Sequence, residues 1–181
     1  FSGERAYEIL VPNASLYAAY LALTAAGEVH GLCHFGALAI ESMRLEKGYL
    51  HWKADILTEF DPYETGLERF ITPDKPDFIG KSALAARAKN GPTKQLVTLI
   101  LDDADAPAHG GASVIHEAKV VGTVTSGGWG HRVAKNIALA FVAPDHAEIG
   151  TKLGVDVIGR LVSATVSPAA LYDPDLTRVR T

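Results

Sequence analysis

Apolar residues in the first part of the chain recur at helical spacing. They lie between Asn13, suited to cap a helix, and Gly27, suited to end one. The positions are Leu16, Tyr17, Tyr20, Leu21 and Leu23. A second helix is predicted from about residue 37 to 47. An alanine-rich third helix is predicted over residues 83–88, where Asn90-Gly91-Pro92 ends it.

Strand patterns accompany these helices. The segment Tyr7–Val11 is β-prone and predicts a strand that ends at Pro12. Residues 49–76 contain two proline breakers and predict loops with short strands. Residues 1–92 are therefore predicted to form an α+β domain, in which helices accompany an antiparallel sheet.

After Pro92 the pattern changes to short β-branched runs separated by Gly, Asp and Pro clusters. The runs cover residues 96–101, 112–115, 120–124, 137–142, 155–158 and 162–166. Runs of this length are typical of a small all-β barrel or sandwich. We therefore predict a second domain, all-β, over residues 93–181.

Composition narrows the classes of protein. The chain has 181 residues, 48% hydrophobic and 21% charged, with a formal net charge of -4. That charge argues against a nucleic-acid binder. One cysteine, Cys33, excludes a disulfide framework and suits a reducing compartment, which we expect to be the cytoplasm. No apolar run approaches the ~20 residues of a membrane span. Because the chain begins with Phe1, we expect it to be part of a longer polypeptide.

Two charged residues are candidates for ligand binding. Glu8 could accept two parallel N–H bonds from the edge of a flat ring, or it could be a solvated acid at the end of a strand. Arg44 could bind a carboxylate bidentately, or it could pair with Glu41 one turn earlier. The residues alone leave both alternatives open.

The glycine-rich segment Thr125–Arg132 is predicted to be a hairpin loop between two strands. Trp129 would lie at its tip, where contact with a ligand or a neighbouring domain would explain a large exposed ring. His30, Cys33 and His34 are potential metal ligands, but no second ligand pair has matching spacing, so we predict no metal site.

Several motifs together resemble the folate-binding module of the glycine-cleavage T-protein (aminomethyltransferase) superfamily. In chain order they are FSGERAYEILVPN, FGALAIESMRLEKGYLHWKADI, YETGLERFI, PDFIGKSAL, VVGTVTSGGWGHRVAKNIALAFV and LYDP. The resemblance is strongest to the version fused behind an FAD-dependent domain in dimethylglycine and sarcosine dehydrogenases. It implies the end of the folate-binding α+β domain followed by the C-terminal β-barrel.

The resemblance also implies roles for individual residues. Glu8 matches the acid that grips the pterin ring, and Phe1 stands where the family often has a tyrosine beside the ligand. Arg44 matches the arginine of an RLE segment near the folate, serving its glutamate or the cavity wall. Trp52 precedes Lys53-Ala54-Asp55, where the family has GxD. The Trp129 segment would face the cavity or the flavin domain.

The implied cofactors are tetrahydrofolate in this module and FAD in an N-terminal region outside the chain. No catalytic residue is predicted here, because the family's catalytic acid lies upstream of residue 1. The implied partners are a small-molecule substrate, the protein's own flavin domain and a further folate subdomain, with a homodimer as another option. The alternatives are a stand-alone aminomethyltransferase and a structural module that has lost folate binding.

Overall fold

The computed structural model describes residues 1–180. Its helices are α1 (Leu16–Gly27), α2 (Ala37–Glu46), α3 (Lys81–Asn90) and α4 (Thr177–Arg180), and short 3-10 turns cover Asn13–Ser15, Glu28–His30, Glu68–Phe70 and Pro144–His146. The three predicted helices are confirmed. None of the helices in residues 1–180 combines the length and the apolar character needed to cross a membrane.

The ends of α1 differ from the prediction. Asn13 opens a 3-10 turn, and α1 begins at Leu16 without a side-chain capping hydrogen bond. Gly27 does not end the helical path either, because a 3-10 turn continues to His30. The chain turns at Gly31, whose φ of +71° favours glycine.

The strand predicted at Tyr7–Val11 is wrong. Residues 5–11 form neither helix nor strand, and in residues 1–92 the only β pairing described is a single bridge between Trp52 and Ile56. A strand needs a neighbour for its backbone N–H and C=O groups, and no described segment pairs with Tyr7–Val11 in this way. Side-chain propensity alone therefore does not make this segment a strand.

The second half forms a closed six-stranded antiparallel barrel. Its strands are β1 (Gln95–Leu101), β2 (Ser113–His116), β3 (Lys119–Gly130), β4 (Lys135–Val142), β5 (Lys152–Val157) and β6 (Arg160–Ser167). Their order is β1-β4-β3-β2-β5-β6, and β6 pairs with β1 to close the barrel. Helices followed by this barrel confirm the predicted fold class. The division into domains at residue 92 stays a prediction.

The glycine-rich segment is not the hairpin loop that the sequence predicted. Thr125–Gly130 form the second half of β3, which pairs with β4 up to Gly130–Lys135, and only His131 and Arg132 lie in the turn that follows. The glycines serve close packing instead of a turn: a Cβ at Gly127 would lie 2.2 Å from the carbonyl oxygen of Ala108. Trp129 is consequently half-buried on a strand.

Side chains along each strand alternate between the inside and the outside of the barrel, and those inside are small or branched and apolar. Its fully buried members include Leu99, Val114, Ala138, Ala140, Val142, Val155 and Ala164. A smaller cluster of Leu45, Ile137 and Leu139 packs α2 onto the outer face of β4. The first part of the chain is thus attached to the barrel through α2.

A second attachment lies at the start of β1. The buried Glu64 carboxylate accepts the hydroxyl of Thr93 at 2.7 Å, and the Glu64 carbonyl accepts the N–H of Leu96 at 2.8 Å. The rings of Phe60 and Phe141 stack beside it with their centroids 3.8 Å apart. The loop of residues 57–70 therefore follows the barrel wall closely.

The barrel interior predicts a contrast between two leucines on its strands. Leu99 is fully buried, whereas Leu161 is 62% exposed. We expect Leu99→Ala to lower the free energy of unfolding by about 2–5 kcal/mol, because a cavity replaces core contacts. Leu161→Ala should change it by about 0.5 kcal/mol or less. Chemical denaturation measures both, and equal losses would mean that the inner and outer faces are assigned wrongly.

Candidate functional site

The segment from Phe1 to Glu8 is fixed near its start and free towards its end. Gly3 is buried with a φ of +72°, and a Cβ there would lie 2.3 Å from Cγ of Lys47. The Phe1 ring meets the His51 ring edge-on at 5.8 Å. Gly3 is therefore required by both its conformation and its packing.

A groove of about 980 Å³ lies along the barrel, and Phe1 is the residue of this segment that lines it. Its walls are mainly apolar and include Phe1, Tyr49, Leu50, Phe70 and the outer side of β1. Arg69 also lines the groove, and its side chain has no carboxylate partner among the described residues. Such a groove can hold a flat, partly anionic ligand.

Glu8 lies on the exposed stretch that follows. It makes no hydrogen bond or ion pair with residues 1–180 that the structure describes, and its neighbours Tyr7 and Ile9 are 80% and 58% exposed. Its two oxygens are consequently available as acceptors. This position fits both alternatives for Glu8: a solvated acid, and an acid that accepts N–H bonds from the edge of a flat ring.

Arg44 is not available to a ligand in this way. Its side chain is 1% exposed and donates to Glu41, to the carbonyl of Tyr49 at 3.2 Å and to Asp55 at 2.7 Å. The pairing with Glu41 expected from sequence is present, but the guanidinium is buried and not on the surface. The geometry favours the wall role of Arg44 over direct contact with an anionic tail.

Asp55 is the centre of this buried network. Oδ2 accepts from Arg44 and from the N–H of His51 at 2.8 Å, while Oδ1 accepts from the hydroxyls of Thr125 and Ser126. Thr125 and Ser126 are neighbours on β3, where side chains normally point to opposite faces. A β-bulge at Val124–Ser126 lets both reach one oxygen.

The two tryptophans lie in different surroundings. Trp52 is 60% exposed on the turn that follows His51, the residue against which Phe1 packs. The carbonyl of Trp129 accepts the hydroxyl of Ser42 on α2 at 2.7 Å. The structure thus brings Phe1 and the Trp52 turn together. No contact between Trp129 and Phe1, Glu8 or Trp52 is described in residues 1–180.

The C-terminal end of α2 carries a second buried ion pair. Lys47 Nζ lies 2.7 Å from Asp173, and the Lys47 side chain is fully buried. The hydrogen bond from Lys47, together with bonds from Thr177, holds the pKa of Asp173 well below its usual range. Asp173 is therefore ionised whenever the protein is folded near neutral pH.

The histidine and cysteine cluster is exposed. The ring of His34 stacks on Tyr20 with centroids 5.7 Å apart, and Cys33 is an exposed thiol. Within residues 1–180, no three His, Cys, Asp or Glu side chains are grouped to hold a metal ion. The cluster therefore offers no described set of metal ligands.

Comparison with known proteins assigns both parts of the chain. Residues 1–75 match the GCVT N-terminal domain, and residues 94–173 match the glycine cleavage T-protein C-terminal barrel domain. The chain belongs to the glycine cleavage T-protein family. The two matches follow the order of the helical part and the barrel.

Relatives of this T-protein family chain include dehydrogenases and aminomethyltransferases. The mitochondrial dimethylglycine dehydrogenase of Rattus norvegicus is 33% identical over 99% of the chain, which spans 21% of that enzyme. An aminomethyltransferase of Saccharopolyspora erythraea is 35% identical over 95% of the chain, which spans 47% of it. The chain is thus similar to part of each relative.

A solved structure shares the fold. The aminomethyltransferase T of the glycine cleavage system from Bartonella henselae superposes on 90% of the chain and 44% of its own length. The TM-score is 0.77 at 24% sequence identity. The chain therefore shares its fold, helices followed by a barrel, with part of that enzyme.

Sequence reasoning missed the role of Asp55 in this family member. A signal was present, because Asp55 is an acid enclosed by Ala54, Ile56 and Leu57, and acids inside apolar runs are buried only when paired. The anchoring of Glu4 was missed as well. Its partners lie 128 and 174 residues away, so no local pattern shows them.

Loss of the Asp55 charge should destabilise the protein strongly. In Asp55→Asn the buried Arg44 keeps only Glu41 as a counterion, and the new amide N–H₂ faces other donors. We expect the free energy of unfolding to fall by about 3 kcal/mol. Asp74→Asn, at an exposed acid, should change it by about 0.5 kcal/mol or less. Urea denaturation of both variants tests this, and similar small losses would contradict it.

The Lys47–Asp173 pair predicts a dependence on pH. A lowered carboxyl pKa adds stability above the unfolded value of about 4, and that stability is lost as the pH falls towards the lowered value. The difference in unfolding free energy between wild type and Asp173→Asn should therefore be largest near pH 7 and shrink below about pH 4. Urea denaturation across this range measures it.

Asp175→Asn is the matched control, because Asp175 is exposed two residues further on. We expect this variant to follow the wild type at every pH. If the difference in unfolding free energy between the wild type and Asp173→Asn stays constant down to pH 2, while the control follows the wild type, the effect is not ionic.

Proposed function

We propose that this chain is the C-terminal part of the tetrahydrofolate-binding module of a dimethylglycine- or sarcosine-dehydrogenase-like enzyme. One observation carries the proposal. The segment held at Gly3 leaves the Phe1 ring at the edge of a groove and the Glu8 carboxylate exposed without a described partner. The similarity to dimethylglycine dehydrogenase over 99% of the chain supports it.

The residues present suit a pterin. A carboxylate with two free oxygens can accept a ring N–H and an adjacent amine together, and a phenyl ring supplies a flat apolar contact. Tetrahydrofolate, when bound here, would supply the acceptor for a one-carbon unit, and FAD in the same protein would supply the oxidation of an N-methyl group. The groove of about 980 Å³ is large enough for a ligand of this size.

The chain's own residues would bind and orient this ligand. Glu8 would hold the pterin, while Phe1 and Trp52 would contact its ring from the Phe1–His51 side. Arg44 would stiffen the wall through Asp55. Because Arg44 is occupied, the exposed Arg69 is the better candidate for an anionic tail. Trp129 would contribute to the wall or to a neighbouring flavin domain.

An apolar surface supports further contacts within the whole protein. None of the α1 residues is buried, and exposed large apolar side chains are frequent from residue 7 to 38. They include Tyr7, Ile9, Leu10, Leu16, Tyr17, Val29, Phe35 and Leu38. Patches of this kind mark interfaces. We propose that a further folate subdomain of the same protein covers this surface, with a homodimer as the alternative occupant.

Two further parts of the proposal concern location and reaction. The exposed single thiol of Cys33 supports a reducing, cytoplasmic setting. A stand-alone aminomethyltransferase is the second candidate function, favoured by the 35% identity to the enzyme of Saccharopolyspora erythraea. The residues that precede Phe1 distinguish the two, since a flavin-type nucleotide motif would support the dehydrogenase.

The role of Glu8 can be tested by Glu8→Gln in the full-length protein. The glutamine places an N–H₂ donor where the pterin also presents donors. We expect the affinity for tetrahydrofolate, measured by titration calorimetry, to fall about 10- to 100-fold. The control is Glu28→Gln, at another exposed acid, which should bind normally. Unchanged affinity in Glu8→Gln would refute the role of Glu8, and absence of binding in the wild type as well would favour a structural module that has lost folate binding.

A further inference from the structure

The candidate ligand-binding segment depends on a contact from the far end of the chain. Glu4 lies between Phe1 and Glu8, and its carboxylate accepts hydrogen bonds from Arg132 and, at 3.4 Å, from Arg178. Partial burial raises the pKa of Glu4, but the bonds and charges of Arg132 and Arg178 outweigh it, so the pKa is lowered. Glu4 is therefore an ionised anchor.

Arg132 is itself held in place on the turn between β3 and β4. Its backbone N–H donates to Oε1 of Glu46 at 2.6 Å, and the N–H of Val133 donates to the same oxygen at 3.3 Å. Its guanidinium lies over the ring of Tyr172, 4.6 Å from the centroid. The cation that meets Glu4 is thus oriented from two sides.

The C-terminal segment is fastened to the same end of α2. The N–H groups of Leu171 and Tyr172 both donate to the carbonyl of Glu46, at 2.8 and 2.9 Å. Asp173 then pairs with the buried Lys47. The Lys47 stem is also the surface against which Gly3 packs. One set of contacts therefore joins the C-terminal segment, α2 and the start of the chain.

Beyond Glu4, the segment has little else to hold it. Residues 5–10 are exposed, and none of their side chains makes a hydrogen bond or ion pair described in residues 1–180. The position of Glu8 consequently depends on Gly3 and Glu4. A segment that is free before binding must be ordered by the ligand, which lowers affinity.

We propose that residues Leu171–Arg178, with Arg132, form a C-terminal latch that positions the segment carrying Phe1 and Glu8 for its ligand. Glu4 and Asp173 are positioning residues in this latch and do not touch the ligand. The inference rests on the proposed function, because the ligand is the pterin of tetrahydrofolate. It adds a dependence of that site on the last residues of the chain.

The test compares Glu4→Gln and Asp173→Asn in the full-length protein, with tetrahydrofolate as the probe. Each variant breaks a different contact of the latch, and neither alters Glu8. We expect both to weaken binding about tenfold, while Glu59→Gln, at an exposed acid without a described partner, binds normally. The midpoint of thermal unfolding of Glu4→Gln should stay near that of the wild type, since its ion pairs are solvent-accessible.

A second measurement separates positioning from a general loss of stability. Trypsin cleavage after the exposed Arg5, followed by mass spectrometry, reports the freedom of the segment itself. In both latch variants we expect cleavage after Arg5 to be several-fold faster, and cleavage after the exposed Arg69 to be unchanged. Weaker binding without faster cleavage after Arg5 would overturn the positioning role.

Failure of the latch and failure of the proposed function give different results. If Glu8→Gln binds poorly but Glu4→Gln and Asp173→Asn bind normally, the latch is refuted and the pterin site stands. If Glu8→Gln binds normally, the pterin assignment is refuted. The cleavage rate after Arg5 then decides whether the latch orders the segment.

Discussion

The carboxylate of Asp55 is the interaction on which the rest of the structure depends. It receives two donors on each oxygen and so connects α2, the turn at His51 and strand β3 at one buried point. Burying a charge is favourable only when it is fully paired, so these elements have one acceptable arrangement. The turn at His51, against which the Phe1 ring packs, is held at this point.

The two halves of the molecule are built on different physical principles. The barrel interior is apolar, so the cost of a substitution there depends mainly on the change in side-chain volume. The junction with the first part instead buries charged side chains: Arg44, Glu46, Lys47, Asp55 and Glu64. Polar junctions add less stability than apolar ones of equal size, but their directional bonds select a single geometry. A site formed by two parts of a chain needs a single fixed geometry more than it needs additional stability.

The sequence predicted the elements that are determined locally. Helical spacing located α1 to α3, and β-branched runs located every barrel strand, because these patterns reflect which side faces the core. It failed where distant partners decide the outcome. Tyr7–Val11 has strand propensity but no segment to pair with. The glycines of β3 allow close packing and do not form a turn. The Arg44 guanidinium is buried in an ion pair with Asp55. Ligand contact by Glu8, Phe1 and Trp52 remains a prediction.

The contacts of Glu4 also have a consequence for biosynthesis. They close loops of 128 and 174 residues, which makes them among the last that a folding chain can form. During translation, Arg132 emerges from the ribosome after the first three barrel strands, and Arg178 emerges only after all six. Until both arginines have emerged, the segment around Glu4 lacks its described partners and is accessible to proteases and chaperones.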